Sequence, residues 1–212
     1  MKRCVIISAG EIKNFKLVKK YLSSEDYYIF CDGGLAYANK LGIKPDLITG
    51  DFDSCKKSDL KKYSKNCETI QLPREKDDTD TLFAVKTALN KGFENFLLLG
   101  SMGARFDHAV ANVSALLFLY EKNIHAEILD DFGFYEVAGK NPVFIQDSFS
   151  YFSVLTPFGN ARKVNIKNAK YPLTDADLFS SFQSLGISNE VIPGQKAEVS
   201  CGEGHVLVSK IF

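Results

Sequence analysis

The chain has 212 residues, 45% hydrophobic and 25% charged, the proportions of an ordinary folded protein with room for one or two cores. Its 26 lysines and arginines balance 26 aspartates and glutamates, so no global field draws it to nucleic acid or an anionic membrane, and neither is expected as a partner. Five scattered cysteines without a Cys-x-x-Cys pair read as core residues of a reducing compartment, and no run approaches the ~20 apolar residues of a membrane span, so a cytoplasmic location is expected.

In chain order, the first two-thirds alternate apolar runs with amphipathic stretches. The runs at 4–10, 27–34, 46–51, 68–72, 95–101 and 126–131 are predicted strands, and their lack of alternation suits a parallel sheet buried on both faces. A helix is predicted over 79–91, with Leu82, Val85 and Leu89 on one face, and a longer one over 107–122. This alternation predicts an α/β fold, a Rossmann-like, mostly parallel sheet with helices on both faces, over residues 1–133. Residues 134–212 have a different texture. Short segments rich in Val, Phe and Tyr, separated by Gly, Pro, Asn and Asp, predict an antiparallel all-β domain, a small sandwich or barrel.

In open α/β sheets, ligands bind at the carboxyl ends of the strands. Those positions carry a biased set of residues here. The second predicted strand ends in Asp32, Gly33 and Gly34, and the third in Gly50, Asp51, Phe52, Asp53 and Ser54. The fourth leads through Pro73 into Arg74, Lys76, Asp77, Asp78, Thr79 and Asp80, and the fifth into Gly100, Gly103, Arg105, Asp107 and His108. Asp51 and Asp53, two apart on an extended chain, share a side. Two charges ~4 Å apart repel by about 4 kcal/mol at an effective dielectric near 20, so a cation or ample water has to separate them.

Each of these residues also has a plainer use. Asp53 or Ser54 could cap a helix starting near Lys56, and Thr79 could cap the helix of 79–91. A cap needs one oxygen, however, and several rims offer two or more carboxylates. Mg²⁺ takes one or two carboxylates together with waters and the phosphate oxygens of a substrate. Gly100 and Gly103 would let backbone N–H groups approach phosphates at a helix N-terminus, and Arg105 offers a planar fork for them. His108 and Asn112 are spaced to share one helical face. The set points to a magnesium–nucleotide site. No Gly-x-x-x-x-Gly-Lys-Ser/Thr loop is present, which excludes a P-loop enzyme, and the protein-kinase motifs are missing too.

The ordered set Asp-Gly-Gly (32–34), Pro-Asp-Leu-Ile-Thr-Gly-Asp-Phe-Asp-Ser (45–54), Lys-Asp-Asp-Thr-Asp (76–80), Gly-Ser-Met-Gly-Ala-Arg-Phe-Asp-His-Ala-Val-Ala-Asn (100–112) and Ser-Asn-Glu (188–190) closely resembles thiamine pyrophosphokinases, over nearly the whole chain. The resemblance implies transfer of a pyrophosphoryl group from ATP to thiamine, giving thiamine diphosphate and AMP. It further implies a C-terminal β-domain that helps hold thiamine, and a homodimer with shared active sites.

By position, Asp51, Asp53, Asp77 and Asp80 resemble the family's magnesium-linked carboxylates, with Asp107 close by. Asp32, Gly33, Gly34, Gly100, Gly103, Thr79 and Asn112 fall on the nucleotide side. Arg105 and His108 resemble its phosphate-facing pair, and Ser188 and Asn189 the pair that meets thiamine. Asp80, Asp107 and His108 are all candidates for the base. The chain has no tryptophan, so a Phe or Tyr would have to stack on thiamine. Three rival readings are a diphosphokinase for another hydroxymethyl heterocycle such as a pterin, a catalytically idle sensor of nucleotide or thiamine diphosphate, and a metal-dependent nuclease. The zero net charge and the lack of a basic stripe count against the last.

Overall fold

The computed structural model describes residues 2–212 apart from Lys76, Ala104, Gln183 and Ser184, so Lys76 of the fourth rim lies outside the described residues. The chain divides into two units, Met1–Asp131 and Phe132–Phe212.

The first unit is built on six parallel strands: β1 (Cys4–Ile7), β2 (Tyr27–Cys31), β3 (Leu47–Gly50), β4 (Glu68–Gln71), β5 (Asn95–Leu99) and β6 (His125–Leu129). Their order is β4-β3-β2-β1-β5-β6, all neighbours running parallel. Val5, Ile6, Ile29, Phe30, Leu47, Ile48, Leu97 and Leu98 are sealed from water, as uninterrupted apolar runs require in a sheet covered on both faces. β4 is the exception: it lies at the edge, and its Glu-Thr-Ile-Gln is largely exposed. Polar side chains on an edge strand discourage pairing with another chain.

Five helices complete this unit: α1 (Phe15–Lys19), α2 (Ala38–Leu41), α3 (Lys57–Tyr63), α4 (Asp80–Asn90) and α5 (Phe106–Tyr120), with a 3₁₀ segment over Asp32–Tyr37. The strand order turns back between β1 and β5. Right-handed crossovers therefore place α1 to α3 on one face and α4 and α5 on the other. The contacts agree, since α1 meets α2, α3 meets the 3₁₀ segment, and α4 meets α5.

Helix α4 differs from its predicted amphipathicity. The buried stripe is Thr81, Ala84, Val85 and Ala88, while Leu82 and Leu89 are only half-buried on the flanks. Small side chains let the helix lie close to β1, β2 and β3, which it contacts, and the leucines fill the edges of that seam.

The second unit has two antiparallel sheets. In one, β13 (Val206–Ile211) lies between β7 (Gly133–Ala138) and β9 (Tyr151–Leu155). In the other the order is β11 (Leu173–Leu178), β10 (Ala161–Lys167), β12 (Lys196–Glu203) and β8 (Val143–Gln146). Inward residues alternate with outward ones along β8, β9, β10 and β12. A single core joins Phe152, Val154, Val206 and Val208 of the first sheet to Ile145, Val164, Ile166 and Val199 of the second. This is a sandwich. Strand β11 was not expected from the sequence. Its Leu-Thr-Asp-Ala-Asp-Leu is polar, its register against β10 shifts twice, and it closes one edge of the sheet.

Asn189 has a structural place in this unit. It is buried, and it exchanges backbone hydrogen bonds with Phe152 at 2.8 and 2.9 Å. Its side-chain Nδ2 donates to the Tyr171 carbonyl at 2.7 Å, while Oδ1 accepts from the N–H groups of Tyr171 at 3.0 Å and Glu190 at 2.9 Å. The amide is thus used by the fold, and it fixes the backbone of Tyr171. Ser188 before it is exposed, sits at φ +54°, and donates its N–H to Ser153 Oγ. Replacing Asn189 by Ala removes three hydrogen bonds from the part-buried backbone at Tyr171 and Glu190, and the expected loss of stability is about 1–3 kcal/mol in a urea titration followed by circular dichroism.

Candidate active site at the carboxyl ends of the parallel strands

The reversal between β1 and β5 opens a crevice at their carboxyl ends, where ligands of doubly wound sheets collect. Backbone bonds knit its floor. The N–H of Ser8 donates to the Leu99 carbonyl and that of Gly10 to the Gly100 carbonyl, both at 2.8 Å. Gly100 has φ +59°, and an added Cβ would run into the Ser8 carbonyl, so only glycine serves there. Tyr37 closes one side by donating its hydroxyl to the Gly10 carbonyl at 3.0 Å. Gly33 and Gly34 lie in the 3₁₀ segment that follows β2, with Gly34 buried, while Gly103 is exposed and packs near Gly10.

Carboxylates gather next to this floor. One oxygen each from Asp32, Asp51 and Asp53 lies within 4.8 Å of the other two. Asp32 is buried at 7% exposure, takes the unfavourable φ of +41°, and has an Oδ1 with no hydrogen-bond partner among the described residues. Burial raises its carboxyl above the usual range, Asp51 and Asp80 push the same way, and the Gly33 N–H and Ser54 hydroxyl oppose them. Asp51 accepts from the Asp53 N–H at 3.1 Å, and the intervening Phe52 is left-handed at φ +63°. Two non-glycine residues at positive φ in one cluster mark a backbone held against its local preference.

Asp53 accepts from the Ser54 hydroxyl at 2.9 Å and from Arg74 Nη2 at 3.0 Å, and both lower its pKa, the Ser54 contact more. Neither Asp53 nor Ser54 caps a helix. α3 begins only at Lys57, after Lys56, and its N-cap makes no side-chain bond. The plainer use of these two residues is therefore removed. Ionised together and this close, the three carboxylates repel one another. An all-oxygen donor set containing a buried, unpartnered carboxylate oxygen fits a hard dication such as Mg²⁺.

Asp80 opens α4 beside this cluster. Thr79 caps the helix as the sequence suggests, its hydroxyl accepting from the Leu82 N–H at 3.2 Å. The first turn is also tied to the sheet. The buried hydroxyls of Ser8 and Thr81 share a hydrogen bond of 2.7 Å, and Cys31 Sγ donates to the Asp80 carbonyl at 3.7 Å. Asp77 is exposed, and its neighbour Asp78 pairs with Lys86 at 2.7 Å, a use outside the cluster.

The fifth rim differs from the expected arrangement. Asp107 is engaged within its own rim. It takes both Nε and Nη2 of Arg105, at 3.2 and 2.5 Å, and that arginine holds its carboxyl below the ordinary range. Asn112 does not share His108's surroundings despite the four-residue spacing. It is buried and donates to the Ser101 carbonyl at 2.8 Å, whereas His108 is exposed on the first turn. Asn112 thus clamps the turn after β5. Arg74, Ser8, Thr81 and Tyr37 complete the surroundings of the site. The sequence offered a signal only for Arg74, which sits at the fourth rim directly after Pro73.

Residues 18–128 match the thiamin pyrophosphokinase catalytic domain, and residues 144–206 match the thiamin pyrophosphokinase vitamin B1 binding domain. The chain belongs to the thiamin pyrophosphokinase family. It is 25% identical to a thiamine pyrophosphokinase of Bacillus subtilis over 195 residues, 91% of each chain. The crystal structure of the thiamine pyrophosphokinase from Bacillus subtilis superimposes with a TM-score of 0.86 at 24% identity, over 99% of both chains. That of the thiamin pyrophosphokinase from Candida albicans gives 0.80 at 14% identity, over 100% of this chain and 89% of the other. At these identities the structural likenesses establish a shared fold.

Gly50 is what admits Asp32 to the cluster. It has φ +150°, and a Cβ there would stand 2.8 Å from that of Asp32. Gly50→Ala is expected to lower stability by more than about 1 kcal/mol in chemical denaturation, because both backbone and contact oppose the methyl.

Proposed function

We propose that this chain transfers the pyrophosphoryl group of ATP to the hydroxyl of thiamine, releasing AMP and thiamine diphosphate. The observation that carries the reading is the convergence of Asp32, Asp51 and Asp53 at the carboxyl ends of β2 and β3, in a chain of this family. Thiamine's primary alcohol attacks the β-phosphorus, the bond from that phosphorus to the α-phosphate oxygen breaks, and AMP leaves with the bond's electrons. The hydroxyl proton passes to a base.

Such chemistry is driven by positioning and charge neutralisation. Asp51 and Asp53, with Asp32 between them and Asp80 beside them, would hold Mg²⁺, and Asp77 stands on the adjoining loop. Bound there, the ion supplies Lewis-acid charge to the phosphate oxygens. The turns at Gly100 and Gly103 bring backbone N–H groups to the phosphates, while Thr79 holds the helix that carries Asp80. Arg105 and His108 are both exposed at the start of α5, and Arg105, paired with Asp107 through Nε and Nη2, would meet the transferring group with the rest of its fork. Asp80, Asp107 and His108 stand as the candidates for that base, with Asp107 already engaged by Arg105.

Thiamine falls to the second unit. Ser188 supplies an exposed polar contact, and Asn189 acts by fixing the backbone at Tyr171. Tyr171 is 57% exposed, and its ring would offer thiamine an aromatic face in a chain without tryptophan. The working form in this proposal is a homodimer with shared sites. Phe179, Phe182, Leu185 and Ile187 leave large apolar surfaces in water within one short segment, and a second copy would cover them. No helix among the described residues is long and apolar enough to cross a membrane, and five free cysteines suit a reducing, cytoplasmic setting.

Incubation with ATP, Mg²⁺ and thiamine should yield AMP and thiamine diphosphate in equal amounts; AMP without the thiamine product would refute the assignment. Asp53→Asn is expected to fold normally and lose at least about 100-fold in turnover, together with its response to Mg²⁺. Phe182→Glu should convert a dimer to a monomer in sedimentation analysis, and a wild-type monomer at micromolar concentration would refute the assembly.

A further inference from the structure

We propose that Arg74 is a substrate-handling residue with two partners: its guanidinium neutralises Asp53 in the free protein, then turns to the nucleotide's polyphosphate when a divalent cation arrives. The inference rests on the site assignment above and adds a residue that the family motifs do not include. Arg74 comes from the loop after β4, yet its Nη2 reaches Asp53 Oδ2 at 3.0 Å, within the group of three mutually repelling carboxylates. A side-chain cation thus already sits on one of the three carboxylates that a metal would use.

The pair is built to be broken. The Arg74 side chain is 75% exposed and that of Asp53 44%, so water competes with the contact throughout. Among the described residues, Arg74 engages Asp53 through one nitrogen only, which leaves most of the fork unused. Asp53 is meanwhile committed on both oxygens, Oδ1 to the Ser54 hydroxyl and Oδ2 to Arg74. Each oxygen keeps a second lone pair, so a dication can add to Asp53, but its charge opposes that of the neighbouring guanidinium, and the exposed arginine is the donor with room to turn away.

The backbone keeps it close once displaced. The Leu72 N–H donates to the Gly50 carbonyl at 2.9 Å, holding the end of β4 beside the start of the acidic loop, and Pro73 restricts the next step of the chain. The guanidinium can therefore swing without leaving the rim. Its planar fork suits a pair of phosphate oxygens, and a lysine would reproduce the charge without that geometry.

The test uses the full chain and two readouts. Mn²⁺ binding to the nucleotide-free protein, followed by electron paramagnetic resonance, should tighten about two- to fivefold in Arg74→Gln, because a competitor worth an exposed ion pair is gone. The same variant should raise the KM for MgATP about tenfold, the loss of a charged hydrogen bond, and leave the KM for thiamine within about twofold. Arg74→Lys should restore the wild-type Mn²⁺ affinity and only part of the MgATP affinity. Unchanged or weaker Mn²⁺ binding in Arg74→Gln, or an unchanged KM for MgATP, overturns the proposal. Asp53→Asn separates the two levels. If it loses Mn²⁺ while Arg74→Gln has no effect, the role of Arg74 alone fails; if it keeps Mn²⁺, the metal assignment fails.

Discussion

The convergence of Asp32, Asp51 and Asp53 is the feature that the first unit has to hold in place. Nothing local favours three carboxylates inside a 4.8 Å circle, one of them buried and two backbone positions in the left-handed region. The surrounding parallel sheet imposes it. β2 and β3 are neighbours with buried side chains, so the loops leaving them cannot drift apart without breaking the core. The free energy to hold the cluster comes from burying residues such as Ile29, Phe30, Leu47 and Ile48, and the tension it creates is relieved wherever a cation is supplied.

The two units divide the work by their architecture. A parallel sheet with a reversal in strand order offers a crevice whose walls come from different crossovers, suited to a polyphosphate that needs charge from several directions. A sandwich offers long edges and corner loops, where residues such as Ser188 and Tyr171 are displayed on a stiff support. Asn189 shows how that support is made: its backbone pairs with β9 while its amide holds the chain at residue 171.

Much of this was legible in the sequence, and the gaps have physical causes. Continuous apolar runs revealed β1, β2, β3, β5 and β6, because burial on both faces leaves no alternation to confuse. Thr79 was readable as a cap, since capping depends on three or four consecutive residues. The polar edge strand β11 was not readable, because its pairing is set by β10 and not by its own pattern. The stripe of α4 shifted because closeness to the sheet favours alanine over leucine. The bond between Ser8 and Thr81 joins residues 73 apart and leaves no trace in either neighbourhood. Asn112 and Asn189 carried a signal, and in the fold each side-chain amide holds a stretch of backbone.

The anchoring of α4 bears on how the crevice can adapt. Its first turn is pinned by the Ser8 hydroxyl and closed by Thr79, and its buried alanines press on three strands. A wall held at so many points leaves accommodation of a bulkier guest to the opposite side, where the connection at 51–56 follows β3. Variation in the breadth of acceptable guests among kindred chains should then track the length and glycine content of that connection, with the helix acting as a common ruler.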